Sequence, residues 1–195
     1  SGHGFWHINN VRNIALKICC KEGGNTSLVE LIALLHEAGD YKLFKNNEKP
    51  DMIIPDILSP FHLEDKVLEC LCLTVEQISF KGLKEIKKIE NIEGQIVQDA
   101  DRLEAMGAIG IARTFAYSGR KNREIYNPSI KPVEYLSFDE YKNNKSTAIN
   151  HFYEKLLRLK DLMNTQTARQ LAEERHRFME FYLEQFYKEC EFAGH

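Results

Sequence analysis

The stretch VELIALLHEAGDYKLF, residues 29–44, runs from aliphatic side chains into a group of ionisable ones. Val29, Ile32 and Leu35 recur at the spacing of one helix face, which predicts a helix with a buried side. His36 opens the ionisable group directly after the last of these apolar residues. The stretch therefore predicts a core helix whose carboxyl end presents polar side chains.

His36, Glu37 and Asp40 are the polar side chains at this helix end. Because Asp40 lies four residues after His36 and three after Glu37, helical geometry brings all three to one side. Two carboxylates beside an imidazole are costly to bury unless a cation lies among them. Imidazole nitrogen and carboxylate oxygen together suit zinc, manganese, iron, cobalt or nickel. A divalent metal site and an ordinary solvated helix end are both open interpretations of this stretch alone.

The composition is that of an ordinary globular protein. The chain has 195 residues, 43% of them hydrophobic and 28% charged, with a net charge of -3. We therefore expect a single domain over residues 1–195, and the charge balance favours neither nucleic acid nor an anionic membrane as a partner. Apolar runs fall short of the roughly 20 residues that a membrane span needs. The 5 cysteines form no disulfide framework, which predicts reduced thiols and a cytoplasmic location.

The spacing of apolar residues predicts helices along most of the chain, and no strand pattern competes with them. Thr26 or Ser27 is the expected cap of the second helix, and Thr165 the expected cap of the last. Two polar, turn-rich segments, residues 44–62 and 118–145, are expected to be long loops. The predicted fold class is all-α, with helices over about 7–22, 26–36, 62–79, 93–106 and a Gly/Ala-rich continuation, and two long helices over 146–190 that divide at Asn164.

Two further stretches carry ionisable residues in apolar surroundings. His7 opens an amphipathic helix in GHGFWHINN, and Asp99 and Asp101 lie within the apolar segment GQIVQDADRLEAMGAIGIA. Polar groups in such a segment need partners. Asp101 can serve as a ligand, or it can form an ion pair with Arg102 or Arg113, and the sequence leaves both open.

Taken together, His7, then His36 followed by an acid, then Asp101 in DADRL resemble the H…HD…D pattern of the HD-domain metal-dependent phosphohydrolases. The blocks ALLHEAGDYK, IVQDADRLEAMGAIGIARTFAYSG and STAINHFYEKLLRLKDLMNT resemble the small single-domain, bacterial-type branch, so the resemblance covers nearly the whole chain. It implies an HD-domain helical bundle that binds one divalent metal ion, such as Mn, Fe, Co, Ni, Zn or Mg. Carried over by motif, the metal ligands are His7, His36, Glu37 and Asp101.

The resemblance also implies a reaction, the cleavage of a phosphate ester or phosphoanhydride of a nucleotide by a metal-activated water. Asp40 is expected to orient or deprotonate this water. Lys42 is expected to contact a phosphate oxygen, with a solvated loop lysine as its alternative. Arg113 can clamp phosphate in bidentate fashion, or it can pair with Asp99 or Glu104.

Glu37 differs from the HD motif, because the family has Asp at this position. Its extra methylene shifts the carboxylate, so Glu37 either still binds the metal or leaves the site impaired. The alternative function is therefore a catalytically impaired HD-fold protein that binds a nucleotide or a protein partner. The aromatic stripe of the last helix is expected to be core or the surface of a homodimer.

Overall fold

The computed structural model describes residues 4–38, 49–78, 89–133 and 146–192. Within these ranges the regular secondary structure is helical and contains no strand, so the predicted all-α fold class is confirmed. The α-helices are α1 (Phe5–Glu22), α2 (Thr26–Leu35), α3 (Pro50–Leu58), α4 (Asp65–Ile78), α5 (Ile92–Glu104), α6 (Gly107–Arg120), α7 (Ala148–Glu154) and α8 (Gln166–Phe192), with 3-10 helices at Ser59–Phe61 and Leu156–Leu162.

The buried face of α1 contains both core residues and a histidine. Val11, Ala15 and Ile18 are fully buried along this face, and His7 occupies the same face one turn before Val11. The helix packs against α2 and α5 through this face. The packing that forms the core therefore also buries His7.

The turn between α1 and α2 depends on Gly23, whose φ of 84° lies in the left-handed region that favours glycine. Asn25 then caps α2, because its side chain accepts the backbone N–H of Leu28 at 3.1 Å. The prediction that Thr26 or Ser27 is the cap was wrong. The helix already includes Thr26, so the capping side chain belongs to the residue before it.

The central helix is α5. It contacts α1, α2, α4, α6 and α8, and the hydrophobic core includes its residues Ile96, Val97, Ala100 and Leu103. The approach of α4 is close at Gly94, where an added Cβ would lie 2.6 Å from the Thr74 side chain. Because α5 has neighbours on nearly every side, most of its polar residues beyond the first turn are buried, and Asp101 is partly exposed.

The segment before α8 is held by Asp99. This carboxylate is fully buried, and it accepts the backbone N–H groups of Asn164 and Thr165, each at 2.8 Å. The hydroxyl of Thr165 also donates to Asp99 at 2.8 Å, and its oxygen accepts the N–H of Ala168 at 3.3 Å. The prediction that Thr165 caps the last helix is therefore confirmed.

Residues 50–58 are a helix, whereas the sequence predicts an irregular loop over 44–62. Pro50 occupies the first helical position, where a backbone N–H has no intrahelical partner and proline is well tolerated. The loop prediction was wrong here because it treated each proline as a helix breaker. Residues 44–48 of the same prediction lie outside the described residues.

The region over 146–190 also differs from the prediction of two long helices. The second is present as α8, but the first is the short α7 followed by a 3-10 helix. The change occurs at Lys155, whose φ of -139° is not helical. Within the aromatic stripe of α8, Tyr182 stacks on the buried Phe152 with ring centroids 5.8 Å apart, whereas Phe181 is 64% exposed.

The hydrophobic core extends from Val11 in α1 to Leu183 in α8. The single domain over residues 1–195, the homodimer and the cytoplasmic location stay predictions. All 5 cysteines fall within the described residues, and none of them is in a disulfide. Among the helices that the structure describes, none combines the length and apolar character needed to cross a membrane.

Candidate metal centre

Three separate elements bring His7, His36, Glu37 and Asp101 together. His7 comes from α1, His36 and Glu37 follow directly after α2, and Asp101 comes from α5. The Nε2 atom of His7 lies 3.2 Å from His36 Nε2 and 3.3 Å from Glu37 Oε1. The same Nε2 lies 3.6 Å from Asp101 Oδ1. The four predicted ligands are therefore neighbours, with His36, Glu37 and Asp101 each placing one atom within 3.6 Å of His7 Nε2.

The end of α2 also determines which nitrogen of His36 faces His7. The chain turns after Leu35, whose carbonyl accepts the N–H of Ala38 at 2.7 Å. Within the turn, His36 Nδ1 lies 2.6 Å from the carbonyl oxygen of Ala33. A carbonyl only accepts, so Nδ1 is the donor and the neutral ring has its lone pair on Nε2, the atom that faces His7.

The cluster is buried on one side and open on the other. His7, His36 and Glu37 are only 6%, 5% and 7% exposed, whereas the Asp101 side chain is 35% exposed. Burial alone would raise the pKa of Asp101, but the positive charge that His36 and His7 carry when protonated, nearby in the cluster, holds this pKa below its ordinary value. Asp101 is therefore the ligand candidate at the open edge of the cluster.

These residues fit a divalent cation. One donor atom from each of His7, His36 and Glu37 lies within 4.8 Å of the others, and all three residues are buried. The set offers two imidazole nitrogens and carboxylate oxygens, which suit first-row transition metals. A buried cluster of acceptors without a positive charge among them would be unfavourable, so the composition of the cluster favours a cation.

Glu104 belongs to the surroundings of the cluster, although the sequence does not predict it there. It lies at the end of α5 and is 2% exposed, and its Oε2 is 2.9 Å from His7 Nδ1. The signal that could have found it is its position three residues after Asp101, on the same helix face. Such a carboxylate behind a ligating histidine is a common feature of metal sites.

Arg113 forms an ion pair with Glu104, one of the two partners that the sequence leaves open. Its Nη1 also lies 2.6 Å from His7 Nδ1. Arg102, another partner considered for Asp101, instead lies 4.0 Å from Asp99 and donates to the carbonyl of Leu162.

Asp40 and Lys42, the residues predicted to act on water and on phosphate, lie outside the described residues. Their roles stay predictions, as does phosphate binding by Arg113.

Comparison with known proteins gives the family. The model of the HD domain family matches residues 4–106, which include His7, His36, Glu37 and Asp101. The chain therefore belongs to the HD domain family, as the resemblance implies. HD domains bind divalent metal ions, in agreement with the cluster of His7, His36 and Glu37.

Solved structures of similar proteins come from several bacteria. A Lactobacillus plantarum protein is 38% identical, with a TM-score of 0.87 over 100% of this chain and 90% of its own. An HD-superfamily hydrolase of Bacillus thuringiensis is 43% identical, with a TM-score of 0.76 over 98% of this chain and 88% of its own. Bacillus subtilis YpgQ, solved in complex with ADP, is 36% identical, with a TM-score of 0.76 over 97% of this chain and 90% of its own.

Proposed function

We propose that this protein is a metal-dependent phosphohydrolase that cleaves a phosphate ester or phosphoanhydride bond of a nucleotide. The observation that carries the proposal is the cluster around His7 Nε2. His36 Nε2, Glu37 Oε1 and Asp101 Oδ1 lie 3.2, 3.3 and 3.6 Å from this atom, respectively. These four residues would hold the cation. A bound divalent cation would supply Lewis acidity, polarising a phosphoryl oxygen and lowering the pKa of water.

The exposure of Asp101 supports access of a substrate from one side. The other three proposed ligands are at least nine-tenths buried, whereas the Asp101 side chain is 35% exposed. A phosphoryl group can therefore approach the centre past Asp101 without displacing the core. We propose that Asp40 orients or deprotonates the attacking water and that Lys42 contacts a phosphate oxygen, since both follow the His36–Glu37 turn closely in the chain.

A nucleotide is the substrate class that the comparisons favour. YpgQ, which is similar over 97% of this chain, has been solved with ADP. A diphosphate offers the anionic oxygens that a cation and a lysine bind. The proposal includes mono-, di- and triphosphates of nucleosides and does not depend on which base is present.

The test has two stages. Protein purified without chelators or a polyhistidine tag is first examined by elemental analysis, and about one equivalent of a transition metal per chain is expected. Release of phosphate or pyrophosphate is then followed for a panel of ribo- and deoxyribonucleotides with added Mn, Co or Mg. His36→Ala should lose both metal and turnover. A wild-type protein that binds none of the metals and cleaves none of the nucleotides would overturn the proposal.

The second candidate function is a catalytically impaired HD-fold protein that binds a nucleotide or a protein partner. The observation in its favour is Glu37, which stands where the motif has Asp. Its Oε1 lies 3.3 Å from His7 Nε2, a position that supports ligation despite the longer side chain. Glu37→Asp separates the two candidates. A gain in metal affinity or turnover favours impairment of the wild type, whereas no gain in an active enzyme favours a neutral replacement.

A further inference from the structure

We infer that Glu104 is a positioning residue that holds His7 in one tautomer, with the proton on Nδ1 and the lone pair of Nε2 directed at the metal centre. Arg113 takes part by holding the Glu104 carboxylate. The inference deepens the proposed function, because it rests on His7 being a ligand. It concerns residues behind the cluster rather than those within it.

The hydrogen-bond chemistry at Glu104 fixes the direction of the first contact. Glu104 Oε2 and His7 Nδ1 are 2.9 Å apart, and because a carboxylate oxygen only accepts, a hydrogen bond between them requires the proton of His7 to lie on Nδ1. The opposite nitrogen, Nε2, then carries the lone pair, and it is the atom that faces His36, Glu37 and Asp101. A metal ligand requires this lone pair.

Arg113 makes Glu104 necessary for this tautomer. Its Nη1 lies 2.6 Å from His7 Nδ1 and forms an ion pair with Glu104 Oε2. A guanidinium only donates, and Arg113 already has the Glu104 carboxylate as its ion-pair partner, so in the tautomer that we infer Arg113 and His7 both donate to the Glu104 oxygen. Without Glu104, the neighbouring guanidinium would favour a lone pair on Nδ1, and the proton of His7 would move to Nε2. Loss of Glu104 is therefore expected to invert the tautomer and block the ligand atom.

The corner between α5 and α6 positions these two residues. Glu104 is the last residue of α5, and Gly107, with a φ of 67°, begins α6 in a conformation that favours glycine. An added Cβ at Gly110 would collide with the carbonyl oxygen of Ala105, so α6 returns very close to the end of α5. This close return places Arg113, on the second turn of α6, against Glu104.

The two histidines are thus oriented by different acceptors. His36 donates to the carbonyl oxygen of Ala33, which is neutral backbone, whereas His7 donates to a carboxylate. A charged acceptor makes the far nitrogen of an imidazole a stronger ligand, and loss of such a partner typically lowers metal affinity by about 10–100-fold. Glu104 therefore selects the tautomer of His7 and also strengthens its bond to a cation.

The experiment is nitrogen-15 NMR of metal-free protein labelled at histidine, recorded in the pH range where the spectra themselves show neutral imidazole. Long-range proton–nitrogen spectra distinguish the two neutral tautomers, and a His7→Gln variant assigns the signals of His7. In the wild type, His7 and His36 should both carry the proton on Nδ1. In Glu104→Ala, His7 should change to the Nε2–H tautomer while His36, held by Ala33, should not change and serves as the internal control.

Binding of Mn measured by titration calorimetry completes the test. Glu104→Ala should weaken Mn binding by about 10–100-fold, and Glu104→Gln, which keeps an acceptor oxygen, should weaken it less. An Nε2–H tautomer of His7 in the wild type would overturn the inference, as would unchanged tautomer and affinity in both variants. If Glu104→Ala does not fold, Glu104→Leu, which keeps most of the side-chain volume and also lacks an acceptor oxygen, supplies the same two readouts. Since the tautomer is observed without metal or substrate, this result is independent of whether the protein hydrolyses nucleotides.

Discussion

Asp99 and Asp101 are two residues apart on α5, and their side chains lie on opposite faces of this helix. Asp99 accepts four hydrogen bonds from Asn164 and Thr165 and is fully buried, whereas Asp101 lies 3.6 Å from His7 Nε2 and is partly exposed. Two residues correspond to about 200° around an α-helix, which separates the faces. One carboxylate therefore stabilises the fold and the other belongs to the candidate metal centre.

Substitution of these two residues should separate stability from metal binding. Asp99→Asn puts an amide donor against groups that already donate, so the free energy of unfolding should fall by about 2–3 kcal/mol. Asp101→Asn should leave the metal-free protein nearly as stable and weaken Mn binding. Urea unfolding and calorimetry on both variants give the comparison. Equal effects of the two substitutions on both quantities would contradict this division.

Asp40→Asn tests the proposed action on water. The variant keeps the size of the side chain but removes its basicity, so turnover should fall by about 10²–10⁴-fold while metal content stays at the wild-type value. Steady-state kinetics and elemental analysis on the same preparation provide the two numbers. Wild-type turnover in the variant would remove Asp40 from the mechanism, and loss of metal would instead indicate that Asp40 is a ligand.

Glu22 makes the stability of the protein depend on pH. Its Oε1 accepts the N–H of Thr167 at 2.5 Å, at the start of α8, and hydrogen bonds from Thr167 hold the pKa of Glu22 below its ordinary value. Because the folded pKa is the lower one, the stabilisation is complete above the unfolded pKa and is lost as the pH falls through the folded pKa.

Glu22→Gln should therefore cost about 1 kcal/mol of unfolding free energy at neutral pH. The difference from the wild type should shrink as the pH falls through the folded pKa of Glu22, because below that pKa Glu22 is protonated in both states. Urea unfolding of both proteins at neutral pH and at a series of acidic pH values measures the difference. A difference of the same size at every pH would show that the carboxylate charge has no part in the contact.

Gly110→Ala tests the corner between α5 and α6. The added Cβ collides with the carbonyl oxygen of Ala105, so α6 must shift and the unfolding free energy should fall by about 1–3 kcal/mol. Gly119→Ala on the same helix is the matched control, since an added Cβ there meets nothing within 4 Å. That variant should be unchanged or more stable by up to about 1 kcal/mol. Thermal unfolding of both variants distinguishes a steric effect from a change in helix propensity.

The sequence predicts those residues of the candidate metal centre that can be recognised from their neighbours in the chain. His36 and Glu37 follow an apolar helix face directly, and the DADRL block marks Asp101. The sequence does not predict Glu104 at the centre because its role is a contact with His7 across 97 residues, and its position three residues after Asp101 becomes a signal only once Asp101 is known to face the centre. A glutamate at the end of a helix has the same local pattern whether it meets water or an imidazole.

The errors in the fold have a similar origin. The cap at Asn25 was assigned to a neighbouring residue because Asn, Thr and Ser accept the same hydrogen bond, and only the backbone angles decide among adjacent candidates. The helix at Pro50–Leu58 was missed because Pro50 suits a first turn and because Pro55 lies inside the helix, where proline is usually disfavoured. In both places the residue type alone did not determine the local structure.

The corner at Gly107 also limits how this chain can change in length. One residue inserted between Gly107 and Arg113 would rotate the guanidinium by about 100° around α6, away from Glu104. A substitution in this segment changes the packing only gradually, but an insertion or deletion removes the ion pair between Arg113 and Glu104. Lineages that descend from this protein should therefore keep the number of residues between Glu104 and Arg113 constant, even where their identities diverge.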